Sequence, residues 1–187
     1  MITAGNRNPG DPDARQVVER VIRVDQAGEF GAVRIYEGQL AALRWTGRAK
    51  GTAGRKIAAM ARAERAHRAE FDRLLVERRV RPTLLSPLWS VAGFALGAAT
   101  ALMGEKAAMA CTVAVEETID EHYAGQAARL GDDEAELRAT VEKFRAEEIE
   151  HRDEALALGA EETPGYGMLT TAIKAGSRLA IWLSTRI

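Results

Sequence analysis

The sequence is poor in cysteine, histidine and aromatic residues, and its opposite charges nearly cancel. Its single cysteine, Cys111, cannot form a disulfide within the chain, which makes a reducing compartment the default. Lysine and arginine number 26 against 27 acidic residues, so the chain lacks the basic excess by which proteins bind nucleic acid. The first 15 residues, MITAGNRNPGDPDAR, lack the apolar core of a secretory signal and contain the acids that transit peptides avoid.

Long β-branched runs are also scarce, and the apolar residues recur with the period of a helix. We expect a flexible N-terminus over residues 1–12 and a single all-α domain over residues 13–187. Glycine and proline mark the helix ends. Long helices are predicted at about 13–45, 52–79, 105–130 and 132–158, with two further ones at 82–104 and 164–184. Asp132 or Asp133 is expected to cap the helix that follows it, and Pro164 to open the last one.

The chain repeats two phrases in the same order. Residues 29–39 and 116–126 both read Glu-x6-Tyr-x-Gly-Gln, and residues 64–70 and 148–154 both read Glu-x-x-His-Arg-x-Glu. The interval between the first glutamates of the two phrases is 35 residues in the first half and 32 in the second. Because a period this long does not suit a solenoid, the repeat predicts a four-helix bundle of two related hairpins.

The repeated phrases place acids and imidazoles on common helix faces, since residues three, four or seven apart lie on one side of a helix. With these faces turned inward, six candidate ligands meet in the bundle: Glu29, Glu64, His67, Glu116, Glu148 and His151. Four buried carboxylates without partners would be prohibitively costly, whereas two divalent cations balance their formal charge. One nitrogen per metal with oxygen otherwise suits iron or manganese better than zinc. This ligand set is that of ferritin-like di-iron proteins.

Simpler interpretations apply to each motif alone. A single Glu-x-x-His arises by chance on surface helices, and a charge run usually marks a solvated face. Glu117, Glu147 and Glu150 adjoin the candidate ligands and leave the register ambiguous by one residue, but the repeat selects Glu116 and Glu148.

Further residues beside the ligands are candidates for supporting roles. His122 lies off the face of Glu116, so it has either a redox role beside Tyr123 or a structural role between helices. Acids that orient ligating histidines are expected in metal sites. Glu147 and Asp25 are candidates for that role, although the counterpart of Glu147 in the first half is Ala63.

Two segments indicate a lipid-facing side. Residues 82–104 carry no charge over 23 residues, long enough to span a bilayer, but Pro87 and several glycines favour interfacial embedding or an apolar wall. The last helix combines apolar positions with Lys174, Arg178 and Trp182, which is typical of an interfacial helix and also of a helix that caps a bundle. Together they suggest a lipophilic substrate.

The sequence closely resembles the demethoxyubiquinone hydroxylase family of ubiquinone biosynthesis. The resemblance rests on VIRVDQAGEFGAVRIYEGQ, RVRPTLLSPLWSVAGFALGAATALMGEKAAMACTVAVEETIDEHYAGQ and KFRAEEIEHRDEALALGAEETPGYGMLTTAIKAGSRLAIWLS, and it extends from about Val17 to the C-terminus. It implies a di-iron monooxygenase, with ferrous and ferric states, that uses O2 to hydroxylate the ring of a polyprenylated demethoxyubiquinol.

The resemblance also assigns roles to residues. It implies that the six candidate ligands bind two irons, with Glu64 and Glu148 bridging and Glu29 and Glu116 terminal. It further implies that His122 and Tyr123 pass electrons from NADH or a quinol. The chain departs from the family in the basic, glycine-rich loop 44–56 and at Glu121, where some members have histidine. Only the second departure bears on the electron path.

The family's setting is a membrane. The resemblance implies a peripheral protein of the inner membrane, on the cytoplasmic side in a bacterium or in the mitochondrion of a eukaryote, and a lipid-binding accessory protein as partner. The sequence leaves a homo-oligomer open. The alternatives are a ferritin-like or rubrerythrin-like handler of iron or peroxide, which would not need the segment 82–104, and a non-catalytic membrane scaffold, which would not need six ligands.

Overall fold

A computed structural model describes residues 12–187, which form six α-helices, two single 3-10 turns and, within that range, no β-strand. The helices are α1 (Ala14–Trp45), α2 (Thr52–Glu77), α3 (Ser86–Met103), α4 (Glu105–Ala127), α5 (Ala135–Ala157) and α6 (Tyr166–Ser184). The predicted all-α fold is confirmed. The N-terminus expected over residues 1–12 lies, except for residue 12, outside the described residues.

The four long helices form the bundle as two antiparallel hairpins, α1 with α2 and α4 with α5. Two apolar layers fill it. One contains Leu43, Ile57 and Met109, and the other contains Ile22 and Phe71. On every bundle helix the candidate ligands lie between the segments that build these layers. The bundle therefore consists of a polar layer enclosed by apolar layers above and below.

Helix α3 lies against α1 with almost no side chain between the two backbones. A Cβ atom on Gly97 would lie 1.9 Å from the carbonyl oxygen of Ile35, and one on Gly38 would lie 2.1 Å from that of Phe94. Only glycine allows so close an approach, so these two residues fix the position of α3 on the bundle. The outer face of α3 is exposed along most of its length.

Helix α6 packs on α4 and is held there by ion pairs at 2.5 Å between Lys174 and Glu117 and at 2.9 Å between Arg178 and Glu121. The indole Nε1 of Trp89 in α3 donates to Oγ of Ser184 at the end of α6, over 2.9 Å. The two extra helices are thus joined at one end and rest on the same side of the bundle.

Most predicted helix ends lie within three residues of the observed ones, and two capping predictions are wrong. Asp132 and Asp133 belong to a 3-10 turn, and α5 begins after Glu134 without a side-chain cap. Pro164 does not open α6, because Gly165 intervenes in a left-handed conformation (φ 72°) and the helix begins at Tyr166. The start of α1 near residue 13 is as predicted, and the structure adds a reciprocal capping box between Asp13 and Gln16.

Candidate metal centre

The four bundle helices bring the six candidate ligands together in two overlapping groups, each with its ligand atoms within 4.8 Å of one another. One group is Glu29, Glu64, His67 and Glu148, and the other is Glu64, Glu116, Glu148 and His151. Glu64 and Glu148 belong to both groups. The geometry is therefore that of two adjoining cation sites that share two carboxylates.

All four carboxylates are buried, with at most 1% of each residue exposed. Eight of the polar atoms in the six residues lack a hydrogen-bond partner, including both oxygens of Glu64 and of Glu148 and the Nδ1 atoms of both histidines. Buried polar atoms without partners are rare, because each costs about 1–3 kcal/mol and more when it is charged. The unpaired atoms all belong to groups that bind divalent metals, so the site fits two such ions.

Two tyrosines support the terminal carboxylates across the bundle. The hydroxyl of Tyr36 on α1 donates to Glu116 on α4, and the hydroxyl of Tyr123 on α4 donates to Glu29 on α1. Burial, reinforced by the neighbouring carboxylates, raises the pKa of both phenols well above its usual value, so both keep their protons. Each tyrosine satisfies one carboxylate oxygen and leaves the other, Oε2, without a partner.

The charges of the layer are strongly interdependent. Burial, followed by repulsion from Glu148, raises the pKa of Glu64 and of Glu116 well above its ordinary value. For His67 and His151, burial opposes protonation, but the adjacent carboxylates outweigh it and raise the imidazole pKa to about 12 and about 10. Positive charge therefore stabilises the layer strongly, and either protons or metal cations can supply it.

His122 lies beside this layer and not in it. Its Nε2 is 3.3 Å from Oδ1 of the buried Asp25 and 2.8 Å from Nε2 of Gln126. Gln126 also donates to Asp25 over 2.6 Å. Asp25 therefore contacts His122 and neither of the candidate ligand histidines, so the prediction that Asp25 orients a ligating histidine is wrong.

The neighbouring acids resolve the register of the motifs. Glu117 points away from the layer and pairs with Lys174, and Glu150 is exposed. Glu147 accepts a hydrogen bond from Nε2 of His67 over 2.5 Å, the orienting role for which the repeat offered no support.

Phe144, which was not among the predicted site residues, also belongs to the site, because its ring stacks on His67 at 4.1 Å between centroids. The only sequence signal for Phe144 is its place one turn before Glu148 on the inward face of the helix.

Comparison with known proteins agrees with the resemblance seen in the sequence. The family model for ubiquinone biosynthesis protein COQ7 matches residues 16–184. The chain is 58% identical to the 3-demethoxyubiquinol 3-hydroxylase of Rhodospirillum rubrum over 185 residues, covering 99% of this chain and 85% of that protein. It is 50% identical over 181 residues to the human NADPH-dependent 3-demethoxyubiquinone 3-hydroxylase, mitochondrial, covering 95% of this chain and 81% of the human one.

A more distant relative extends the same agreement to yeast. The 5-demethoxyubiquinone hydroxylase, mitochondrial, of Saccharomyces cerevisiae is 40% identical over 185 residues, covering 91% of this chain and 78% of the yeast protein. The region that the family model matches includes both outer helices, every candidate ligand and all of the four bundle helices except the first two residues of α1. The chain belongs to the COQ7 family of ubiquinone biosynthesis proteins.

Proposed function

We propose that the protein is a di-iron monooxygenase that hydroxylates the ring of a polyprenylated demethoxyubiquinol in ubiquinone biosynthesis. The observation that carries the proposal is the buried layer of four carboxylates and two imidazoles, whose unpaired atoms converge in a chain of the COQ7 family. The reaction takes one oxygen atom of O2 into the ring and reduces the other to water, with two electrons and two protons from outside. NADH or a quinol is the proposed electron donor.

The proposed ligands divide between two iron positions. Glu29 and His67 would hold one iron, Glu116 and His151 the other, and Glu64 and Glu148 would bridge them because each lies in both groups. When bound, two ferrous ions supply the electrons that O2 needs, since O2 alone reacts poorly with closed-shell organic molecules.

The chain itself controls water and protons around the site. The apolar layers above and below the ligands exclude bulk water, which limits side reactions of a strong oxidant. Tyr36 and Tyr123 each keep one proton directed at a terminal carboxylate, and this holds Glu116 and Glu29 in a fixed orientation. A quinol ring placed beside Tyr36 or Tyr123 would lie next to the ligand layer.

The outer helices provide the proposed route for the lipid tail. Ile35 of α1, Leu96 of α3 and Ile173 of α6 pack in one apolar cluster with residues of α4 that directly precede Glu116. Val91 on α3 and Trp182 on α6 are 69% and 52% exposed, although both are large and apolar. By length and composition alone, α3 qualifies as a helix able to cross a membrane. We propose that α3 and α6 instead rest on the inner membrane and admit the tail between them.

For electron entry we propose the pair His122 and Tyr123. His122 is the partly exposed member, with 22% of its side chain accessible, and Tyr123 next to it is buried and contacts Glu29. Their rings lie 6.2 Å apart between centroids. The pair thus forms a short connection between the surface of the bundle and the ligand layer.

The reaction can be tested with the iron-loaded protein, a short-chain demethoxyquinone, NADH and ¹⁸O-labelled O2. We expect a quinol product that carries one labelled oxygen, identified by mass spectrometry. Oxidation of iron by O2 without any labelled quinol would instead indicate a ferritin-like protein. A chain that neither oxidises iron nor forms product would be a scaffold.

Removing a proposed ligand should remove both iron and activity. We expect Glu148→Ala and His67→Ala to bind less than the two irons per chain of the parent and to lose turnover by about 100-fold or more, because even residues that merely orient ligands contribute 10- to 100-fold. Glu150→Ala is the matched control, since Glu150 lies on the same helix and is exposed. Two irons per chain in both ligand variants would contradict the ligand set.

The electron path is tested by His122→Ala. Because His122 contacts Asp25 and Gln126 and no proposed ligand, we expect this variant to keep its iron and to slow the reduction of the ferric protein by NADH. Stopped-flow absorbance measures that rate, and Arg129→Ala, exposed just beyond the end of α4, serves as the control. An unchanged rate in His122→Ala would exclude His122 from the path.

Binding to the membrane is tested with two exposed valines. Val91→Asp on α3 should weaken binding to phospholipid vesicles by roughly tenfold or more, because each buried CH2 group contributes about 0.8 kcal/mol. Val76→Asp on α2, where the valine is 80% exposed on another helix, should leave vesicle binding unchanged. Equal effects of the two changes in vesicle sedimentation would argue against α3 as the membrane-contacting helix.

A further inference from the structure

The two halves of the proposed metal centre share the residues that supply the ligands, but they differ in what contacts the histidines. Each half has a terminal glutamate, a bridging glutamate, a histidine and a tyrosine that reaches across to the other half. Glu147, the residue before the bridging Glu148, contacts His67 of the opposite hairpin. The residue before the bridging Glu64 is Ala63, whose methyl group cannot form a hydrogen bond with His151.

Glu147 is placed to set both the orientation and the tautomer of His67. Nδ1 of His67 faces the ligand layer, 3.1 Å from Oε1 of Glu148, while Nε2 lies 2.5 Å from Oε2 of Glu147. A proton held at Nε2 by a carboxylate leaves the lone pair on Nδ1 directed at the metal position and increases its basicity. Phe144 stacked on the ring and Lys143, 3.8 Å from Glu147, hold this arrangement in place.

His151 lacks such support. Its Nδ1 faces the layer in the same way, 3.1 Å from Oε1 of Glu64. On the outer side, no group within residues 12–187 forms a hydrogen bond with its Nε2. Its side chain is 12% exposed, against 2% for that of His67. Within these residues, no carboxylate is placed to fix the tautomer of His151.

We propose that Glu147 makes the two metal positions unequal, so that the position between Glu29 and His67 binds a divalent cation more tightly than the position between Glu116 and His151. The inference rests on the metal site of the proposed function and adds an order of loading to it. Loss of an outer partner of a ligating histidine typically costs 10- to 100-fold in metal affinity, so we expect a difference of about that size. The position at His151 fills last and releases its metal first.

Variants that retain only one histidine isolate the two positions. His151→Ala leaves the position at His67, and His67→Ala leaves the position at His151, so repulsion between two bound metals does not confuse the comparison. Titration of each apoprotein with Mn²⁺, followed by electron paramagnetic resonance of the free ion, gives the affinities. We expect the first Mn²⁺ to bind His151→Ala about 10- to 100-fold more tightly than His67→Ala.

Glu147→Ala then tests whether Glu147 causes the difference in Mn²⁺ affinity. Added to His151→Ala, it should lower the affinity to that of His67→Ala; added to His67→Ala, it should have no effect. Glu150→Ala removes the same charge from an exposed position on α5 and should change neither variant. Equal affinities in the two histidine variants would overturn the proposal. An equal loss from Glu147→Ala in both backgrounds would also overturn it, because that result would reflect net charge alone.

Two further measurements keep the proposal testable if a histidine variant does not fold. The parent protein with one equivalent of Mn²⁺ should show anomalous scattering at the His67 position, and equal occupancy of both positions would contradict the inference. Ala63→Glu in the parent should raise the affinity for the second Mn²⁺. Hydroxylation is measured separately. Equal metal affinities with normal turnover would refute only the proposed difference between the positions, whereas unequal affinities without turnover would refute only the proposed hydroxylase activity.

Discussion

Four carboxylates and two imidazoles, buried together without enough partners, form the constraint on which the rest of this structure depends. Their unpaired atoms would be prohibitive in an ordinary core, so the bundle is organised to isolate and compensate them. Apolar layers enclose them on both sides, and Tyr36 and Tyr123 satisfy one oxygen on each terminal glutamate. What remains unpaired is directed inward, where cations would replace the missing partners. The stability of the bundle and the chemistry of the site are therefore linked through the same atoms.

Much of this could be predicted from the sequence because the information is local and repeated. The helical period and the glycine and proline residues set the helices, and the two copies of Glu-x-x-His placed Glu64 with His67 and Glu148 with His151 on inward faces. The repeat also selected Glu116 over Glu117, and the structure buries Glu116 while Glu117 pairs with Lys174. Patterns that recur at fixed spacing predict the site well because helix geometry fixes which residues share a face.

The remaining features depended on contacts between distant segments, which no spacing rule supplies. Glu147 reaches His67 from another hairpin, 80 residues away, so neither local sequence motif contains the pair. Phe144, on the same helix as Glu147, likewise contacts His67 of the opposite hairpin. The wrong predictions of helix starts at Asp132 and Pro164 have a different cause. The backbone forms a 3-10 turn at Asp132 and a left-handed conformation at Gly165, and each delays the start of the α-helix that follows.

The close contact between Gly97 and the carbonyl of Ile35 has a mechanical consequence. Ile35 directly precedes Tyr36, which holds a carboxylate of the ligand layer, and only backbone atoms separate α3 from this point. Backbone held by helical hydrogen bonds is much stiffer than a side chain that can change rotamer. Any surface on which α3 rests is therefore kept at a constant depth relative to the ligand layer. On the proposed membrane surface, α3 would act as a rigid spacer between the lipid and the ligand layer.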